Sequence, residues 1–285
     1  MFPPSAERRP DVPGSMIYEK FMALHTREAG LVMPNAWDGL STRLLADAGF
    51  EAIGTSSFAL AASLGRLDGR HRVSRDEHLA HASLLASLTD LPVSGDFEDG
   101  YGETSEDVSA TVSAAVEHGL AGISIEDTSG DPDRPIRDFD EAVARVRAAV
   151  AAAKGRIVVT GRADNYLQGR PNLDDTIRRL TAFAEVGADV VYAPYPPDVD
   201  ALRAIVAAVA PTPVNVLISP ADEVLTVAEL RAVGVKRISL GPALYAHVMG
   251  ALEEAVGALV RGDLVTATTG MDFGRMGTLL SRSAR

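Results

Sequence analysis

Short apolar runs alternate with stretches of helical period along almost the whole chain, and this rhythm constrains the fold more than any other feature. The runs are Leu31-Val32-Met33-Pro34, Glu51-Ala52-Ile53-Gly54-Thr55, Leu91-Pro92-Val93-Ser94-Gly95 and Ala121-Gly122-Ile123-Ser124-Ile125. They continue with Ile157-Val158-Val159-Thr160, residues 188–193, Pro213-Val214-Asn215-Val216-Leu217 and Arg237-Ile238-Ser239-Leu240. Helical patterns follow them at 39–48, 74–87, 105–117, 138–153, 174–185, 198–209, 226–232 and 243–261. A phrase built on glycine joins helix to run at Ala48-Gly49-Phe50, His118-Gly119-Leu120, Val186-Gly187-Ala188 and Val233-Gly234-Val235, where glycine ends a helix in the left-handed region. Strands that alternate with helices make right-handed parallel crossovers, and eight such units predict an α/β fold of the (β/α)8 TIM barrel type. An open doubly wound sheet is the alternative, but no Gly-rich dinucleotide turn follows the first run.

The 285 residues fit one barrel domain, since α/β barrels of about 250 residues are common. The expected division is a disordered leader at 1–14, the barrel at 15–262 and a tail at 263–285 that packs on a neighbouring subunit or stays mobile. A helix is expected at 15–29, with Ser15 as cap and Gly30 as stop, whereas 56–68 reads as a loop of small residues. Hydrophobic residues make up 46% of the chain but aromatics only 5%, so Ala, Val and Leu must build the core. The net charge of −12 argues against nucleic acid or an anionic membrane as partner. The absence of cysteine excludes disulfides, thiolate zinc sites and Cys nucleophiles. No stretch of about 18 residues reads as membrane-spanning, and the N-terminus lacks the apolar core of a signal peptide, so a cytoplasmic location is expected.

The third run leads into Asp96-Phe97-Glu98-Asp99-Gly100-Tyr101-Gly102. Acids there belong at the carboxyl end of a strand, where parallel α/β proteins bind ligands. On an extended backbone Asp96 and Glu98 point the same way. Converging carboxylates repel unless they are protonated or hold a cation, and hard oxygen donors suit Mg²⁺ or Mn²⁺. A solvated acidic turn is the competing reading. The other strand ends add Asn35-Ala36-Trp37-Asp38, Thr55-Ser56-Ser57, Glu126-Asp127, Arg162-Ala163-Asp164 and Asn215. In a barrel these ends share one mouth, so Asp96, Glu98, Glu126 and Arg162 are expected around one cavity. Arg162 there can grip an anionic substrate.

These phrases resemble the isocitrate lyase / phosphoenolpyruvate mutase superfamily over residues 31–255. The matching segments are Asn35-Ala36-Trp37-Asp38 with Ser41 and Arg43, residues 48–53, Thr55-Ser56-Ser57, and Gly65-Arg66-Leu67-Asp68. Asp96-x-Glu98-x-Gly100-Tyr101-Gly102, Ile125-Glu126-Asp127, Gly161-Arg162-Ala163-Asp164 and Gly187-Ala188-Asp189 complete the series. The resemblance implies Mg²⁺ held directly by Asp96, with Glu98 and Glu126 holding its waters and Asp68 in the same acidic cluster. It implies that Arg162 contacts substrate carboxylate and enolate oxygen, and that Trp37, Ser56, Ser57 and Phe58 hold the keto-acid end. It also implies a homo-oligomer, dimer or tetramer, whose last helix is swapped between subunits.

The chain departs from the family at one loop. The isocitrate and methylisocitrate lyases carry a Lys-(Lys/Arg)-Cys-Gly-His loop after the Glu-Asp pair, whereas here Thr128-Ser129-Gly130-Asp131-Pro132-Asp133-Arg134-Pro135 follows. The general acid of those lyases is therefore absent, and so are the gating Lys and Asn of the mutases. Glu98 replaces the second acid of Asp-x-Asp, and Ala163 replaces Thr in Arg-Thr-Asp. Candidate proton donors are Asp127, Thr128, Ser129, Asp131, Tyr101 and Asn165. His78 and His81 read as residues of a solvated helix face. The expected activity is a Mg²⁺-dependent lyase that cleaves a C–C bond of a small 2-keto or 2-hydroxy di- or tricarboxylate through a pyruvate-type enolate. C–P chemistry on phosphonopyruvate is the second reading, and a non-catalytic carboxylate-binding barrel the third.

Overall fold

Most helices begin where the sequence supplies a capping side chain. Asp38, Ser74, Thr104 and Thr226 each accept from a backbone N–H in the first turn, and Ser41, Glu77, Asp107 and Glu229 reciprocate. Such capping boxes satisfy donors that a helix start otherwise leaves open. The computed structural model describes residues 14–217 and 225–281, so the leader expected at 1–14 lies outside it except for Gly14. The strands are β1 (Leu31–Met33), β2 (Ile53–Gly54), β3 (Val93–Asp96), β4 (Gly122–Glu126), β5 (Val158–Arg162), β6 (Val190–Tyr192), β7 (Val214–Leu217) and β8 (Arg237–Ser239). The helices up to the last strand are α1 (Gly14–Thr26), α2 (Gly39–Asp47), α3 (Ser57–Ser63), α4 (Arg75–Ser87), α5 (Ser105–Glu117), α6 (Phe139–Ala153), α7 (Leu173–Glu185), α8 (Val199–Val209) and α9 (Val227–Val233). After it come α10 (Ala243–Val260), α11 (Leu264–Thr268) and α12 (Phe273–Ser281).

All strand pairs are parallel, in the order β1-β8-β7-β6-β5-β4-β3-β2. A bridge between Asn35 and Gly54 joins the first strand to the second and closes the ring. The fold is a (β/α)8 TIM barrel.

Alternation along each strand divides two environments. Ile123, Ile125, Val159, Val191, Val216 and Ile238 pack outward against helices. Ser124, Arg162, Tyr192, Asn215 and Arg237 turn inward and line a cavity. At the amino ends of the strands α1 plugs the barrel, with Phe21 fully buried against Leu31, Ala52, Ala121, Val158 and Val190. Burying a ring of that size contributes ~1.5–3 kcal/mol.

Several expectations need correction. Residues 57–63, read as loop, form α3, because Ser56 caps it through the Ala59 N–H. The helix expected at 15–29 ends at Thr26. Apart from these, α12 in the tail lies against α2 of the same chain, where Arg43 donates to the Leu279 carbonyl at 3.4 Å and Arg275 pairs with Asp47. His78 is fully buried rather than solvated, with Nδ1 2.6 Å from the Tyr101 hydroxyl. His81 is partly buried and its Nε2 bonds the Trp37 carbonyl at 2.8 Å. One stretch does meet the length and composition of a membrane span, namely α10, with 18 residues and mean hydropathy 1.3. It carries Glu253 and Glu254, and only Tyr245 and Ala258 along it are buried.

Candidate active site

Strand β3 ends at Asp96, and the next residues turn sharply. Glu98, Gly100, Tyr101 and Gly102 all have positive φ, at 48°, 89°, 59° and 85°. The left-handed region is costly for Glu and Tyr, at roughly 1–3 kcal/mol each, so surrounding contacts must hold them there. Asp99 supplies those contacts. Its buried carboxylate accepts from His71 Nε2 and Arg137 Nη2, each at 2.7 Å, and from Arg145 Nη2 at 3.3 Å. Arg145 also bonds the carbonyls of Asp99 and Gly102 at 2.9 and 3.0 Å. The turn sends Asp96 and Glu98 to different places, contrary to their expected common direction. Asp96 lines an inner cavity of about 300 Å³, and Glu98 an outer one of about 150 Å³. Asp68 lines both.

Asp96 is held from three strand ends. Its Oδ2 accepts from the backbone N–H and hydroxyl of Ser57 at 3.1 and 3.0 Å, and its Oδ1 from the Ser124 hydroxyl at 3.1 Å. Arg162 Nη1 stands 3.5 Å from Asp96 Oδ1 and 3.1 Å from Glu126 Oε2. Thus Asp96, Glu126 and Arg162 converge from β3, β4 and β5. Asp164 takes the other side of the guanidinium, with Nε at 2.6 Å and Nη2 at 2.9 Å.

Burial works to raise the pKa of Asp96, but Arg162, Ser57 and His78 outweigh it and hold the carboxyl below its usual range. Burial lifts Asp68 to about 6, with Asp96 adding to the shift. It lifts Glu98 to about 7, opposed by His71 and assisted by Asp68 and Asp96. Glu126 is also raised well above its usual value, first by burial and then by Asp164 and Asp96, against the pull of Arg162. Each acid thus makes its neighbours harder to ionise, which a divalent cation would relieve. Among the described residues no three acids or histidines surround an ion unaided. The acids gathered here offer oxygen donors only, and too few for a full shell, which fits Mg²⁺ or Mn²⁺ with retained waters.

The remaining expected residues fall in varied surroundings. Ser56, Ser57, exposed Phe58 and Asn215 line the inner cavity. Trp37 does not line it and meets Tyr245 edge-on at 5.5 Å. Thr128 donates to Glu126 Oε1 at 2.8 Å and lines the outer cavity with Asp131. Ser129 donates to the Arg134 carbonyl within its own loop. Asp127 is buried between Arg179 at 3.1 Å and the Asp164 N–H at 2.8 Å, and burial lifts it to about 7. Tyr101 is buried against the Val73 carbonyl at 3.1 Å, and Asn165 donates to Asp175 at 2.9 Å. Sequence reasoning missed Ser124, Tyr192, Ser239 and Arg237 as cavity residues. Their signal was available in the polar residue every second position of an otherwise aliphatic strand.

The chain matches the family model described as phosphoenolpyruvate phosphomutase over residues 21–260. The crystal structure of a Burkholderia cenocepacia J2315 protein is 40% identical, with TM-score 0.90 over 95% of this chain and 98% of that one. Oxaloacetate decarboxylase of Paraburkholderia xenovorans (strain LB400) is 32% identical over 248 residues, covering 84% of this chain and 80% of the relative. Oxaloacetate acetylhydrolase, solved in complex with the product oxalate, is 26% identical with TM-score 0.83, covering 94% of this chain and 95% of that one. With its acids and arginine gathered at the carboxyl ends of a parallel barrel, this chain belongs to the phosphoenolpyruvate mutase family, within the isocitrate lyase / phosphoenolpyruvate mutase superfamily.

Proposed function

We propose that the protein is a Mg²⁺-dependent lyase that cleaves a C–C bond of a small 2-keto or 2-hydroxy di- or tricarboxylate through a pyruvate-type enolate. The observation that carries this reading is the position of Arg162 Nη1, within 3.1–3.5 Å of Glu126 and Asp96 at the rim of a 300 Å³ cavity. Asp96 would hold the cation directly, and Glu126 and Glu98 would hold it through water, Glu98 from the outer cavity past Asp68, which lines both. Bound Mg²⁺ or Mn²⁺ would supply a Lewis acid beside the substrate carbonyl. Arg162 faces the same oxygen. When the bond next to the carbonyl breaks, its electron pair moves onto that oxygen, and a fixed guanidinium stabilises the developing charge. A proton taken up at the freed carbon completes pyruvate. Asp164 keeps Arg162 aimed throughout. No cysteine or lysine lines either cavity among the described residues. Loss of CO₂ from a 2-keto diacid demands the least proton transfer, so it heads the substrate panel.

The test is pyruvate formation from 2-keto and 2-hydroxy diacids with and without Mg²⁺. Release of pyruvate that stops on chelation supports the proposal, and silence across the panel rejects it. Phosphate released from phosphonopyruvate instead would favour the C–P reading, and binding without turnover the non-catalytic one. We propose also that the partner is a second copy of this chain, seated on α10, whose Val248, Met249, Leu252, Val256, Leu259 and Val260 are exposed. An apolar face of that extent is stable when covered.

A further inference from the structure

Four arginines in the described structure are less than a tenth exposed: Arg137, Arg145, Arg179 and Arg237. The first three are each paired with a carboxylate, from Asp99 or Asp127. Arg237 differs. It springs from the start of β8 into the barrel, and its partners among the described residues are all neutral. Nε donates to Asn215 Oδ1 at 2.9 Å, Nη2 to the Thr160 hydroxyl at 3.0 Å, and Nη1 lies 3.3 Å from His25 Nε2. Burial and the nearby guanidinium keep His25 uncharged, with its pKa pushed down to about 3. Burial lowers Arg237 itself only to about 10, so it remains a cation at neutral pH.

A guanidinium has five N–H bonds. Three find these partners, which leaves one on each terminal nitrogen without an acceptor among the described residues. That is the number an end-on carboxylate takes. A buried charge without a counter-ion is costly and is normally paired. Arg237 also lines the inner cavity, together with Asn215 and Ser239, while Arg162 lines it from β5. Asn215 is itself held by the Ser239 hydroxyl at 2.9 Å, so the side chain that orients Arg237 is fixed in turn.

We infer that Arg237 is a carboxylate subsite at the floor of the inner cavity, holding an anionic group of the substrate other than the one that faces Arg162. The inference rests on reading this cavity as the substrate site, and it gives the second anionic group of the proposed diacid its place. A chemical consequence follows. A cation clamped on a carboxylate stabilises it against becoming CO₂, so the carboxylate on Arg237 is one that the product keeps.

Binding to the full chain with Mg²⁺ tests this, measured by calorimetry with succinate as diacid and pyruvate as monoacid. In Arg237→Met succinate affinity falls by about 10- to 100-fold, the loss of one charge-assisted contact, while pyruvate affinity holds. Arg237→Lys recovers part of the loss. Equal succinate affinity in wild type and Arg237→Met overturns the subsite, as does an equal fall for pyruvate or no succinate binding to wild type. If Arg237→Met does not fold, a succinate soak of wild-type crystals decides, since a carboxylate against Arg237 supports the inference and a bare floor rejects it. Diacid binding through Arg237 in a protein that forms no pyruvate would leave the subsite standing and remove the proposed reaction. Pyruvate formation with an unchanged KM in Arg237→Met would do the reverse.

Discussion

Asp164 holds Arg162 by two nitrogens of one guanidinium, Nε at 2.6 Å and Nη2 at 2.9 Å, and so leaves Nη1 to face Asp96 and Glu126. The two residues are neighbours but one on the chain, so the clamp is local and survives movement elsewhere in the barrel.

Asp164→Asn keeps the shape and removes the charge that fixes Arg162. The expected result is a fall in kcat of about 10- to 100-fold with a smaller change in KM, as for other residues that orient a charged group. Steady-state kinetics on whichever diacid proves active would show it; a change confined to KM would mean that Asp164 orients nothing in the transition state.

Asp96→Ala removes the one acid that both Arg162 and Ser57 reach. In wild type, Mg²⁺ at about 100 times its Kd adds ~2.7 kcal/mol of stability by mass action. The variant should show no rise in Tm with Mg²⁺. An undiminished rise would place the cation elsewhere.

The pH dependence follows from Asp68 at about 6 and Glu98 at about 7, both raised chiefly by burial. A raised acid binds its proton more tightly folded than unfolded. Its contribution to stability is therefore complete below its ordinary value, 3.8 for Asp68 and 4.5 for Glu98, and is lost as pH climbs through the folded values. The metal-free protein should lose Tm over this window. Mg²⁺ competes with those protons, so its stabilising effect should grow from about pH 5 to about pH 8, roughly one unit beyond each of the two pKa values. Glu98→Gln should flatten the upper half of the trend in thermal melts, and a slope that persists unchanged would remove Glu98 from the cation's surroundings.

Asp99→Ala leaves Arg137 and Arg145 buried beside an empty place. Breaking a buried pair in this way costs about 3–5 kcal/mol. Denaturant unfolding should report it, together with a loosened 98–102 turn. A cost below ~1 kcal/mol would mean that water replaces the carboxylate easily.

Covering of α10 by a second chain predicts that Leu252→Glu, on its exposed face, shifts the protein to a smaller species in light scattering. A wild-type monomer would dispose of the idea at once.

The sequence alone determined the barrel, because eight apolar runs with glycine-terminated helices between them admit few parallel arrangements, and the acids at strand ends marked its mouth. Local patterns could not follow the chain past Asp96. Left-handed φ values at Glu98 and Tyr101 reversed the expected direction of Glu98, and they exist only because Asp99, Arg137 and Arg145 meet from three separate segments. The burial of His78 depends likewise on Tyr101 across the fold. Arg237 showed in the sequence only as one of the two alternate polar positions of β8, which marks an inward side chain but not what lies opposite it. Closure of the sheet brought it to Thr160 from β5 and His25 from the plug helix, and left its charge open to the cavity. Periodicity records which side of an element is buried; which charges meet inside a closed ring is decided by strand register, and that exists only in the folded chain.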